Sequence, residues 1–97
     1  MKLITVEELI QIKDHDSLFL IDVRESKEVA STPMENMPYI HIPMNDIPNR
    51  INEIDDEKQI VIFCHSGGRS AHVCEFLYTR GFENVFNLVG GITAWKK

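Results

Sequence analysis

The sequence predicts an α/β fold in which a small parallel sheet of about five strands is covered by helices on both faces. Two continuous apolar runs, at residues 18–21 and 60–63, are typical of strands that are buried on both faces. Segments with helical spacing alternate with the strand-like runs, and such alternation is typical of a parallel sheet. The 97 residues suffice for one core, so we expect residues 1–97 to form one domain.

The first elements of the chain are predicted from a capping signal and from short apolar runs. Thr5 and Glu8 match a capping box, which predicts a short helix over residues 5–12. The elements predicted next are a strand at 18–21, one or two helical turns at 26–30 and a short strand at 39–42.

A further helix is predicted after Asn45, because this residue is a suitable N-cap and Ile47, Ile51 and Ile54 follow at helical spacing. Pro48 is tolerated only in the first turn of that helix. The elements predicted for the rest of the chain are a strand at 60–63, a helix at 70–80 that Gly81 ends, a strand at 84–88, a turn at Gly90 and Gly91, and a terminal helix at 92–95.

The composition limits the classes of partner. Ten Lys and Arg against 15 Asp and Glu give a net charge of −5, which disfavours nucleic acid or an anionic membrane as the main partner. No apolar run approaches the roughly 18–20 residues of a membrane span, and acidic residues stand where a signal peptide has its apolar stretch. We therefore expect a cytoplasmic protein. Two cysteines are too few for a disulfide scaffold.

Polar residues and a cysteine follow two of the predicted strands. Asp22 and Arg24 lie at the end of the first buried strand, and Cys64 comes directly after the strand at 60–63. Ligands of parallel α/β sheets bind beyond the carboxyl ends of the strands. This coincidence predicts one site that contains all three residues.

The segment of residues 64–70, CHSGGRS, has the composition of an anion-binding loop. Gly67 and Gly68 allow the backbone to turn tightly and to aim consecutive N–H groups inward. The helix that begins near Ser70 adds unpaired amides, and Arg69 adds a full positive charge. A thiolate on Cys64 is stabilised in such surroundings, which predicts a reactive cysteine.

Four segments, DVRE at 22–25, IVIFC at 60–64, CHSGGRS at 64–70 and GGITAW at 90–95, together resemble the single-domain rhodaneses over nearly the whole chain. The resemblance implies that Cys64 takes a sulfane sulfur from thiosulfate or a protein persulfide and passes it to a thiol or cyanide, without a metal or cofactor. The remaining roles that it implies are a persulfide cradle formed by His65, Ser66, Gly67, Gly68 and Ser70, a donor-binding charge on Arg69, and a pocket floor braced by Asp22 and Arg24. The segment PMENMPYIHI at 33–42 departs from the glycine-containing connection of many relatives.

Other functions remain as alternatives. Phosphatases and arsenate reductases of similar fold carry C-x5-R, whereas four residues separate Cys64 from Arg69 here, which favours sulfur over phosphate. A rhodanese-type binding module without turnover is a second alternative, although such a module does not need a thiolate. Zinc is disfavoured because His72 and Cys74 cannot chelate together from one helix face. Cys74 is expected to pack in the core, and a resolving thiol is its alternative role.

Overall fold

The computed structural model describes residues 1–96 and contains a five-stranded parallel sheet with the strand order β1-β5-β4-β2-β3. The strands are β1 (Lys2–Ile4), β2 (Leu18–Asp22), β3 (Ile40–His41), β4 (Gln59–Phe63) and β5 (Val85–Leu88). All four neighbouring pairs are parallel. The predicted α/β fold is therefore confirmed, with helices on both faces of the sheet.

Three α-helices connect strands, namely α1 (Val6–Gln11), α2 (Ser26–Ser31) and α3 (Gly68–Thr79), and α4 (Gly91–Trp95) follows β5. The capping box at the start of α1 is formed as predicted. The Glu8 amide donates to Thr5 Oγ1 at 3.1 Å, and the Thr5 amide donates to Glu8 Oε1 at 2.9 Å. Helix α3 begins two residues earlier than predicted, so its first amides belong to the 64–70 loop itself.

The helix predicted after Asn45 is wrong in type. The chain instead forms two 3₁₀ helices, Met44–Asp46 and Pro48–Glu53, and Asn45 lies inside the first of them. Pro48 has no N–H to donate to a continuous helix, and Arg50 leaves helical geometry with φ −119° and ψ 17°. The three isoleucines still point inward, because Ile47 and Ile54 are buried and Ile51 packs against the same core.

The sheet separates two apolar cores, one on each face. The first core contains residues of β2, β4 and β5 together with Val73, Cys74 and Leu77 of α3 and the isoleucines of the 3₁₀ region. The second core packs Leu9 of α1 and Ile92 of α4 against the opposite face. Alternate residues along β4 belong to opposite cores, so both faces of this central strand are covered.

Strand β1 was not predicted from the sequence, and it forms the edge of the sheet beside β5. The atypical connection at 33–42 is anchored by Met34 and Met37, which are buried in the second core. Tyr39 from the same segment meets the ring of Phe63 edge-on, with 5.9 Å between the ring centroids. Methionine side chains thus anchor a connection that contains no glycine.

Asp22 and Phe63 are paired in register at the ends of β2 and β4. The residues that follow these two strands therefore emerge at one edge of the sheet, next to each other. Among residues 1–96, no helix is long and apolar enough to span a bilayer.

Candidate active site

Cys64 follows the central strand β4 directly and is the focus of the loop that leads into α3. The residue is 1% exposed. Its Sγ accepts hydrogen bonds from the Gly67 amide at 3.1 Å and from the Ser70 amide at 3.5 Å, and it lies 3.4 Å from Ser70 Oγ. Gly67 has φ +121°, a conformation that favours glycine, and this turn places two amides of the helix start around the sulfur.

The protonation of Cys64 is decided by two opposing effects. Burial raises the pKa of the thiol, whereas hydrogen bonds from the Ser70 hydroxyl and from the amides of Ser70, Gly67 and Ser66 lower it. The hydrogen bonds outweigh the burial, so the pKa of Cys64 lies below its ordinary value. The loop therefore favours the thiolate, which is the nucleophilic form of cysteine.

Asn87 of β5 holds the loop from the side of the sheet. Its Nδ2 donates to the Gly67 carbonyl at 3.1 Å, and its Oδ1 accepts a hydrogen bond from the Ser70 hydroxyl. The Ser70 hydroxyl has one proton and faces three acceptors: Asn87 Oδ1, the Gly67 carbonyl and Cys64 Sγ. The backbone amides, whose protons are fixed in direction, are therefore the more constant donors to the sulfur.

Helix α4 holds the loop from the other side. The Ile92 amide donates to the Cys64 carbonyl at 2.9 Å, and Thr93 donates to the His65 carbonyl from its amide at 3.2 Å and from its hydroxyl at 3.0 Å. This close approach requires glycine at position 91, where an added Cβ would overlap the Cys64 carbonyl oxygen and lie 2.7 Å from that of His65. The Gly-Gly turn predicted from sequence is thus part of the site.

Arg69 is turned towards Glu28 of α2. Its two terminal nitrogens donate to the two carboxylate oxygens of Glu28 at 2.6 and 2.8 Å. This hydrogen bonding lowers the pKa of Glu28 to about 2 and raises the pKa of Arg69, so both groups stay charged. The charge that was expected to hold a donor is already paired within the protein.

Asp22 and Arg24 form a buried ion pair at the end of β2, with Arg24 Nη2 at 2.8 Å from Asp22 Oδ2. The exposed fractions are 0% and 1%. Arg24 also donates to two carbonyls of the α2 region. One belongs to Thr32, which follows the last turn of α2, at 2.8 Å, and the other belongs to Glu28, inside α2, at 3.5 Å. The pair therefore fixes the helix that carries the carboxylate partner of Arg69.

Cys74 lies one helical turn beyond the site and is fully buried in the first core. Burial raises the pKa of its thiol to about 12, so this cysteine remains protonated at neutral pH. Its environment agrees with core packing and disfavours the alternative of a resolving thiol. Within residues 1–96, no group of three or more His, Cys, Asp or Glu side chains is arranged to hold a metal ion.

The sequence located most of the loop but missed two of its partners. Cys64, Gly67 and Ser70 come together as expected, whereas the side chains of His65 and Ser66 are exposed. Gly68 is the first residue of α3, and Asp22 and Arg24 support α2. Glu28 and Asn87 were not predicted as site residues. Their signals were weak: a second glutamate three residues after Glu25, and one polar residue near the end of an apolar strand.

Comparisons with known proteins agree with this geometry. A family model described as a rhodanese-like domain matches residues 5–97. YtwF of Bacillus subtilis, a presumed sulfurtransferase by name, is 42% identical over 89% of this chain and 81% of its own length. A sulfurtransferase of Allochromatium vinosum is 37% identical over 90% of this chain and 79% of its own length.

Solved structures give the same result. The crystal structure of a rhodanese-like domain protein from Staphylococcus aureus superposes with a TM-score of 0.87 at 34% identity, covering 98% of this chain and 91% of that one. The two sequence relatives described above are named as sulfurtransferases. The three comparisons show that the chain belongs to the rhodanese-like domain family.

Proposed function

We propose that this protein is a sulfurtransferase that moves a sulfane sulfur from thiosulfate or another persulfide donor to a thiol or cyanide through a persulfide on Cys64. The observation that supports this proposal is the focus of backbone amides on Cys64 Sγ, with the Gly67 amide at 3.1 Å and the Ser70 amide at 3.5 Å. A sulfur anion at this position is stabilised by fixed donors before any substrate arrives.

In the first step, the Cys64 thiolate attacks the outer sulfur of the donor. A new S–S bond forms to Sγ, the bond within the donor breaks, and the donor leaves with the electron pair as sulfite or as a thiolate. The outer sulfur then carries the negative charge beside the amides of the 64–70 loop. The lowered pKa of Cys64 favours the nucleophilic thiolate, so no separate general base is needed.

In the second step, the acceptor thiolate or cyanide attacks the outer sulfur of the Cys64 persulfide. The persulfide S–S bond breaks, the sulfur leaves with the acceptor, and the electron pair returns to Cys64 as a thiolate. The two exchanges balance, since the sulfur gained from the donor is the sulfur given to the acceptor. The same loop therefore serves both steps.

The other predicted site residues have proposed roles around this cycle. His65 and Ser66 are exposed at the rim, where their side chains can meet a donor or an acceptor. Gly68 starts α3 and contributes to the helix terminus behind the sulfur. Asp22 and Arg24 act indirectly by fixing α2.

The test is the intact mass of the protein after incubation with thiosulfate and, separately, with an alkyl persulfide. We expect the mass of one sulfur atom to be added, to be removed by a reductant, and to map to Cys64. Cys64→Ser should abolish the addition, and Cys74→Ser should retain it as a matched control. The absence of added sulfur with both donors, or its location on Cys74, would contradict the proposed function.

A further inference from the structure

The two terminal nitrogens of Arg69 are both engaged by an internal carboxylate. They bond to Glu28, at 2.6 and 2.8 Å, and the two side chains are each 33% exposed. A forked guanidinium offers these same two nitrogens to an incoming anion. An anionic donor can therefore bind this end of the guanidinium only by displacing Glu28, and along the remaining edge it meets a pair whose charges already cancel.

Glu28 is held in place by other contacts. Its Oε1 accepts a hydrogen bond at 3.0 Å from the Glu25 amide, which completes a capping box at the start of α2. The far end of the same helix is tied down by Arg24, which donates to the Thr32 carbonyl at 2.8 Å. Moving the carboxylate away from Arg69 would cost both the ion pair and part of the helix cap.

The charge around the pair also opposes a dianion. Glu25 lies near enough to Arg69 to raise the pKa of its guanidinium, as Glu28 does to a greater extent. The chain as a whole carries a net charge of −5. Thiosulfate brings a sulfonate group directly bonded to its sulfane sulfur, whereas an alkyl persulfide has only carbon on the inner sulfur. These negative charges therefore disfavour the binding of thiosulfate more than that of an alkyl persulfide.

We propose that Glu28 is a specificity-determining residue that disfavours thiosulfate and selects alkyl persulfides as the sulfur donors of Cys64. This inference rests on the proposed function and names its donor class. With such a donor, Cys64–S⁻ and R–S–SH give Cys64–S–SH and R–S⁻. One S–S bond forms, one S–S bond breaks, and the leaving thiolate takes the electron pair, so no other reactant is required.

The test compares two donors, thiosulfate and the persulfide of 2-mercaptoethanol, in the wild type and in Glu28→Gln. Glutamine is nearly the same size, and it can still accept from the Glu25 amide as a capping-box residue, so the helix should persist. We expect kcat/KM for thiosulfate to rise roughly tenfold, mainly through a lower KM, because the Arg69 fork becomes available. The value for the alkyl persulfide, which lacks a sulfonate group, should change less than about twofold.

Two controls make the result specific. Glu53 forms a comparable forked ion pair with Arg50 on the 3₁₀ helix, at 2.9 and 3.0 Å. Glu53→Gln makes the same change in net charge and should leave the preference between donors unchanged. In an Arg69→Ala background, Glu28→Gln should no longer raise kcat/KM for thiosulfate, because the guanidinium that the substitution would free is absent.

Several outcomes would overturn the inference. The first is a Glu28→Gln variant that leaves kcat/KM for thiosulfate unimproved, the second is one that raises kcat/KM equally for both donors, and the third is one that only matches the effect of Glu53→Gln. Any of these results would mean that Glu28 does not select the donor. A wild type that forms no Cys64 persulfide with either donor would instead contradict the proposed function itself, so the two failures are distinguishable.

Discussion

Replacing Gly91 by alanine tests whether α4 positions the 64–70 loop. Gly91 has φ +57° and lies against the backbone that it helps to hold. An added Cβ would lie 2.7 Å from the His65 carbonyl oxygen and 2.8 Å from its carbonyl carbon, and it would overlap the Cys64 carbonyl oxygen. These are backbone atoms, so no side-chain rotation can relieve the overlap. The loop and α4 must therefore move apart.

The loss of stability in Gly91→Ala can be calculated from the backbone strain and from the contacts that this movement breaks. The left-handed backbone costs an alanine about 1–2 kcal/mol. Three hydrogen bonds join α4 to the carbonyls of Cys64 and His65, and each contributes about 0.5–1.5 kcal/mol. We therefore expect Gly91→Ala to lower the free energy of unfolding by about 2.5–6.5 kcal/mol, which is a large part of the 5–15 kcal/mol of a typical domain.

Gly81→Ala is the matched control. Gly81 has φ +90°, and an added Cβ there would meet nothing within 4 Å, so only the backbone conformation is strained. Its cost should be about 1–2 kcal/mol, measured like that of Gly91→Ala by urea unfolding with linear extrapolation. The folded Gly91→Ala protein should also form the Cys64 persulfide more slowly than Gly81→Ala. Equal losses of stability and equal rates in the two variants would refute the reasoning.

Four further predictions follow from the site. Cys74→Ser should still form the persulfide, but its free energy of unfolding should fall by about 1–3 kcal/mol because a hydroxyl replaces a buried thiol. In the native wild type, iodoacetamide should modify Cys64 before Cys74. The ionised Glu28 carboxylate, with a pKa lowered from 4.5 to about 2, should add stability above pH 4.5 that is lost as the pH falls through about 2. Because that side chain is one-third exposed, the loss should be only about 1 kcal/mol, seen as a stability difference between wild type and Glu28→Gln that shrinks on acidification. Asn87→Asp cannot donate to the Gly67 carbonyl and adds a negative charge near the sulfur, so the pH midpoint of Cys64 alkylation should rise; an unchanged midpoint would contradict this role for Asn87. Finally, the unmodified protein should not hydrolyse an aryl phosphate above background, and robust hydrolysis would contradict the choice of sulfur over phosphate.

The sequence predicted those elements whose pattern is local. Strands β2 and β4 are continuous apolar runs, and α3 has a helical stripe that ends at a glycine, so each could be identified without its neighbours. Strand β1 could not be identified in this way. It has three residues, of which only Ile4 is buried, and it is a strand because β5 lies beside it.

The region after Asn45 shows a different limit of sequence patterns. The spacing of the isoleucines correctly indicated an inward-facing surface but gave the wrong helix type. Pro48 removes a donor from the middle of the segment, and the non-helical Arg50 divides it further. Short 3₁₀ turns keep the isoleucines in the core without a continuous hydrogen-bond ladder.

The site was predicted where its residues are neighbours in sequence and missed where the fold brings them together. Glu28 is 41 residues from Arg69, and Asn87 is 17 residues from Ser70. In the sequence, Glu28 has the pattern of an ordinary glutamate in the first turn of a helix, and Asn87 is a single polar residue in an apolar strand, so neither indicates a site. Their roles arise from the parallel register, which places the ends of β2, β4 and β5 side by side.

The arrangement of loop carbonyls explains how thiolate stabilisation and donor choice can be separated. The carbonyl of Cys64 accepts from α4, that of His65 accepts from Thr93, and that of Gly67 accepts from the side chain of Asn87. These carbonyls are hydrogen-bonded to other groups, and the amides of Gly67 and Ser70 bond to the sulfur. Peptide dipoles do not titrate and are not displaced by substrate, so the hydrogen bonds of the loop are the main stabilisation of the sulfur anion and Arg69 adds only a coulombic contribution. In the function proposed here, the side-chain pair of Arg69 and Glu28 can therefore vary the accepted donor while the nucleophile stays the same.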